Sequence, residues 1–222
     1  MLDLKKTEHL FHNSYISYVA TAFGALLVVW LLHRVAPQKI LLSWFLLFLL
    51  LTMARSVLTY CFQKKRHTLE NDTWLILFLI GAFASGIFWG ITGFLLIPDN
   101  GMSLLDSVVY HGMLLLFIAV LIAASVITYS ISRSAYFCFA IPAVVPQCLM
   151  LIHKGDNYHS FLGGFMLAYA LVVFVISLYV NRMLLVALAT QEENEKLRRV
   201  LKDNKVDVNQ LKDDFPVIPG SD

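Results

Sequence analysis

Charge is what this sequence has least of. Only 14% of its 222 residues are Asp, Glu, Lys or Arg, against 59% apolar, and its mean hydropathy is +0.71. So few charges cannot cover a water-soluble globule, which excludes an ordinary soluble enzyme. The net charge of +2 is too small to point to a nucleic-acid partner, and the basic residues stand at the ends of apolar runs, where membrane topology places them. Cysteine is scarce as well. Cys61, Cys138 and Cys148 all lie in or beside apolar segments, and an odd number so placed does not make a disulfide framework; they read as small buried hydrophobes. Catalytic and metal motifs are missing: there is no HExxH, no paired Cys and His ligand spacing, no GxSxG and no phosphate-binding glycine loop. No enzymatic activity, metal or other cofactor is therefore expected of these residues. The acidic residues fall nearly all in loops or the tail, leaving no deeply embedded carboxylate for a proton-coupled pump.

What the sequence has instead is six apolar segments: residues 15–32, 40–62, 74–97, 104–129, 136–152 and 161–188. Each is long enough, or nearly so, to cross the roughly 30 Å of a bilayer's hydrocarbon core. They are continuous rather than alternating, so they predict helices, not barrel strands. Short links make neighbours antiparallel, and the expected fold is all-α: a six-helix transmembrane bundle, followed by a short cytoplasmic coiled-coil helix. The first span follows about 14 mostly polar residues and no small-residue cleavage pattern, so it is expected to remain in the mature protein. With the N-terminus inside, Lys5, Lys6, Lys64, Lys65, Arg66, Arg133, Arg182, Lys196, Arg198 and Arg199 face the cytoplasm, against only Arg34, Lys39 and Lys154 outside. That imbalance places both termini in the cytoplasm. Trp74 then sits at the inner interface, and Trp30 and Trp44 near the outer one.

After Leu188 the composition turns charged without a glycine or proline to stop the helix. A heptad with Leu197 at position d puts Asn194, Leu201, Val208 and Phe215 at a, and Thr190, Asn204 and Leu211 at d, giving a short, imperfect seam for a parallel homodimer. A solvated amphipathic tail is the other reading. Pro216 and Pro219 end any helix. The chain thus divides into a cytoplasmic segment over 1–14, a membrane domain over 15–188, a coiled-coil helix over 189–215 and a tail over 216–222.

Few residues stand out inside the spans. Arg55 reads either as an inner anchor whose side chain snorkels to the headgroups, or as a cation facing the bundle interior to hold an anionic ligand group or a set of carbonyls. His111 reads as a packing residue, or as a proton- or ligand-responsive one. Gly86 and Gly90 form a GxxxG ridge, for ordinary helix packing or for a dimer face. Pro142 and Pro146 each remove a backbone donor, kinking the fifth span and widening space beside Gln147. Trp89, His111 and Gln147 then define one expected pocket, apolar with a few polar groups, for a lipid-like or small amphipathic ligand.

Trp44 and Arg55, Trp74, the run Gly86-Ile87-Phe88-Trp89-Gly90, Pro98, Gly112, the stretch from Ser130 to Ser134, Pro142, Pro146 and Glu193-Asn194-Glu195-Lys196-Leu197 occur in an order that resembles a family. It is that of six-helix membrane sensor modules placed before bacterial outputs such as GGDEF diguanylate cyclases, histidine kinases and class III adenylyl cyclases. The resemblance covers about residues 15 to 202 and rests on scattered positions. It implies a multi-pass receptor of the bacterial inner membrane that detects a small lipophilic or membrane-borne signal and passes it through the sixth helix and a dimeric coiled coil. Autoinducer-receptor kinases share this layout. The 222 residues carry no output domain, so the resemblance implies an output in cis on a longer chain or in trans on a partner. A stand-alone membrane scaffold, and less so a small transporter, remain the alternatives, the latter disfavoured by the absence of an internal repeat.

Overall fold

The structure, a computed structural model, describes residues 2–65, 70–98 and 101–203. Among these the chain is entirely helical: α1 (Leu2–Leu32), α2 (Gln38–Lys65), α3 (Asn71–Gly90), α4 (Thr92–Leu96), α5 (Leu104–Tyr129), α6 (Arg133–His153) and α7 (Asn157–Asp203). Five of them, α2, α3, α5, α6 and α7, are long and apolar enough to cross a membrane. A sixth span is added if Lys6–His12 and Ser17–Leu32, bent by 40° within α1, are taken as one. The protein is a multi-pass membrane protein.

The helices depart from the apolar segments at two places. Residues 2–14, ahead of the first apolar segment, are helical and run into it as part of α1, which carries a buried row at helical spacing: Thr7, Leu10, Phe11, Ser14, Tyr18 and Thr21. Phe11 stacks on Phe62 at 4.1 Å between ring centroids and meets Phe78 edge-on at 5.2 Å. The third apolar segment is broken after Gly90 into α3 and α4. Gln147 of α6 inserts its side chain there, its Nε2 donating to Trp89 O at 3.3 Å, and an inserted side chain is a recognised cause of a helix break.

The bundle is centred on α3 against α6, with α1 packed on α2 and α5. Pro146 leaves the carbonyl of Pro142 without its helical donor. That oxygen lies only 1.9 Å from where a Cβ on Gly90 would be, and Phe139 O only 2.4 Å from a Cβ on Gly86. The glycine ridge and the proline pair are therefore one interface within the chain, in which only glycine admits the facing backbone. Gly93 does the same for the Gln147 amide, whose Oε1 would lie 2.4 Å from an added Cβ.

Two aromatic clusters fill the interior. Phe11, Phe62, Trp74 and Phe78 form one, and Trp44, Phe48 and Trp89 the other. Trp44 and Trp74 are thus core residues, and of the three tryptophans expected at the interfaces only Trp30, 72% exposed, faces outward.

The chain divides after Arg182 into two units. The first holds the bundle. In the second, Lys196 pairs with Glu192 at 3.3 Å, and Asn194 and Leu197 are exposed. The seam positions Asn204, Val208, Leu211 and Phe215 lie outside the described residues, as does the side chain of Leu201.

Candidate functional site

Arg55 lies seven residues from both Phe48 and Phe62 on α2, so it stands midway between the two aromatic clusters, about 10 Å along the helix from each. It faces the bundle interior and is only 5% exposed. Of its two sequence readings, the snorkelling anchor is not what the structure adopts. Nη1 donates to Ser85 Oγ on α3 and Nη2 to Tyr129 Oη on α5, both at 3.0 Å. The guanidinium carbon lies 4.9 Å from the ring centroid of Tyr18, 5.8 Å from that of Phe78 and 6.0 Å from that of Tyr129. Gly81 gives the stem room, since a Cβ there would come within 3.2 Å of Arg55 Cγ.

Among the described residues no carboxylate faces this cation. Burying a charge costs several kcal/mol even after relaxation, and here hydroxyl oxygens and aromatic faces offset it, each aromatic contact contributing roughly 0.5–2 kcal/mol. The hydroxyls form a directed network. Thr59 donates to Arg55 O at 3.1 Å, so the Tyr18 hydroxyl, 3.0 Å away, donates to Thr59. Ser85 donates to Gly81 O at 3.0 Å. Tyr129 Oη accepts from Arg55, and its hydroxyl lies 3.2 Å from Ser17 Oγ. Either hydroxyl of the Ser17–Tyr129 pair can donate, and accepting from a cation favours Tyr129 as the donor.

Trp89 and Gln147 meet through the bond described above, and both are buried. The indole N–H of Trp89 and Oε1 of Gln147 have no hydrogen-bond partner among the described residues. His111 is held from within α5 and from α7. Its Nδ1 donates to Ser107 O at 2.8 Å, and its ring meets that of His159 edge-on at 5.2 Å. Trp89 with Gln147, His111 with Ser107 and His159, and Arg55 with Ser85 and Tyr129 are thus three sets of contacts.

The His111 cluster joins α5 to the start of α7. Asp156 caps α7, Oδ1 accepting from the N–H of His159 at 2.9 Å and of Tyr158 at 3.1 Å. Its Oδ2 lies 2.5 Å from His159 Nδ1. His159 Nε2 in turn lies 3.1 Å from Ser107 Oγ, and Lys154 Nζ donates to that oxygen at 3.4 Å. The backbone N–H of His159, with its ring and the N–H of Tyr158, holds the Asp156 carboxyl below the usual range. Ser107 and His159 are both buried, so this row of carboxylate, imidazole and hydroxyl acts as a clasp between helices.

Further along α7, Tyr169 donates to Ala119 O at 3.0 Å, Ser177 and Ser130 share a 2.9 Å hydrogen bond, and Asn181 joins Ser130 O to Arg133 Nε. The partners of Arg55 and the second histidine escaped the sequence reading. The available signal was polar side chains within apolar runs: Thr59 one turn from Arg55, and Ser125 and Tyr129 one turn apart on α5. Comparison with protein-family models, with curated proteins and with solved structures finds no match for this chain.

Proposed function

We propose that this protein is a membrane-embedded receptor of a bacterial inner membrane, spanning it six times with both termini in the cytoplasm. It detects a small lipophilic or membrane-borne signal and passes it through α7 and a parallel dimeric coiled coil to a cytoplasmic output, in cis or in trans, such as a nucleotide cyclase or histidine kinase. The observation that carries this reading is α7, a single helix of 47 residues. Between residues 157 and 182 it is tied to the bundle by polar clasps at His159, Tyr169, Ser177 and Asn181, while Phe161, Phe165, Leu171, Val175 and Tyr179 are exposed. Interhelical hydrogen bonds in a bilayer average only about 0.6 kcal/mol, so such a helix shifts at less cost than one interdigitated in the core. A ligand biases the shift by its difference in affinity for the two packings, and about 1–3 kcal/mol is the usual coupling. Arg55 supports the reading from the other side, as a buried cation that packing alone does not require.

The test is a chimera in which a cyclase catalytic domain that works only as a dimer follows residue 202. Inserting one to seven residues at the junction is expected to make activity rise and fall with helical phase, seven residues restoring the starting level. Activity indifferent to phase would overturn transmission through α7 and leave the scaffold reading.

A further inference from the structure

A cavity of about 200 Å³ opens between α1 and α5, lined by Ser17, Thr21, Leu121, Ser125, Thr128 and Phe139. Its rim residues Ala20, Ala124 and Ile127 are exposed, so on a membrane protein it opens toward lipid. Two hydroxyls from each of two apolar helices line it, and the four are not equivalent. Thr21 donates to Ser17 O at 2.8 Å, Ser125 to Ile122 O at 2.7 Å and Thr128 to Ser125 O at 3.3 Å. Having given their hydrogens to their own helices, these three have only oxygen lone pairs left to offer. Ser17 differs, because it continues the chain that begins at the Arg55 guanidinium and passes through Tyr129.

The crevice therefore asks for two things of one polar group: that it accept from the polarised Ser17 end, and that it donate to a neighbouring lone pair. A hydroxyl does both. A carboxylate would meet three oxygens presenting lone pairs, and an ammonium would meet the field of Arg55 one residue behind the wall. The volume lies below the roughly 300 Å³ where drug-sized pockets begin, enough for a head group and the first carbons of a chain.

We propose that this crevice binds an uncharged, single-chain amphiphile with a hydroxyl head, seated between Ser17, Thr21 and Thr128 with its chain leaving past Ile127 into the lipid. Its use as a signal rests on the receptor reading, but the binding does not. The experiment uses the full chain in phosphatidylcholine proteoliposomes and a diazirine-bearing decanol, with adducts mapped by mass spectrometry. Labelling is expected in residues 17–24 and 121–128. Unlabelled 1-decanol should compete at least about fivefold better than decyl methyl ether, which accepts but cannot donate, the difference one buried hydrogen bond makes. Thr128→Val with Ser125→Ala should lower labelling by about five- to tenfold. Equal competition by the ether, stronger competition by decanoate, or labelling confined to other helices overturns the proposal. The competition series uses the unsubstituted protein, so it decides the matter even if the double variant folds poorly. Specific labelling in a chimera whose cyclase ignores decanol would leave the site standing and count against the receptor reading.

Discussion

Arg55 is the residue on which a structural and a functional explanation part. If the guanidinium served only to hold α2, α3 and α5 together, an apolar side chain of similar length would serve at least as well, since replacing buried charges by well-packed hydrophobes is often neutral or stabilising by about 1–4 kcal/mol. Arg55→Met is accordingly expected to keep or raise the unfolding midpoint in mild detergent while abolishing signal-dependent output. A midpoint lowered together with output would make Arg55 a packing residue. Asp156 makes a separate point, because its carboxyl is held low by the N–H groups it caps and by the His159 ring. A group whose acidity is raised by folding stabilises the fold above its unfolded value, near pH 4, and loses that contribution as pH falls through its lowered folded value. Protection of the Tyr158 and His159 amides, taken relative to their intrinsic exchange at each pH, should therefore fall on acidification from about pH 5 to pH 3. Asp156→Asn, which still caps, should flatten that dependence; an unchanged slope would show that the carboxylate is not its source.

Among the elements, the α3 and α6 pair is where sequence constrains the fold most tightly. A methyl on Gly90 would lie 1.9 Å from Pro142 O, whereas one on Gly164 would meet nothing within 4 Å. Gly90→Ala is expected to cost about 1–3 kcal/mol or more, the range for overpacking, and Gly164→Ala close to none, measured by unfolding in mixed micelles. Comparable values for the two would mean that α3 and α6 do not approach as described. The bounds of α5, Leu104–Tyr129, were legible from the sequence, with Ser103 before it and Ser130 after. So was the placing of Pro142 and Pro146 inside α6. The break after Gly90 was not, because it depends on Gln147, 57 residues away in sequence. Nor was the start of α1 at Leu2, which Phe11 earns by packing on Phe62 rather than by local hydropathy. The polar partners of Arg55 were hidden for a related reason. In a bilayer both the inner and the outer face of a helix are apolar, so the periodicity that marks a buried face in water is faint. Arg55, Trp89, His111 and Gln147 could be picked out by residue type, yet the partners that each one contacts needed the packing.

For the molecule as a whole, five or six spans, a buried cation network and a helix reaching Asp203 are consistent with a receptor whose two packings are read out through α7. The measurement that bears most directly on this is disulfide scanning of α7 in native membranes, with Cys61, Cys138 and Cys148 replaced by serine or alanine and single cysteines placed at each position from 190 to 202. The account predicts efficient dimer cross-links at Asn194, Leu197 and Leu201, weak ones between them, and a change in that pattern in Arg55→Met. Cross-linking that is absent throughout, or equal at every position, would contradict a dimeric α7 seam and with it the route from bundle to output.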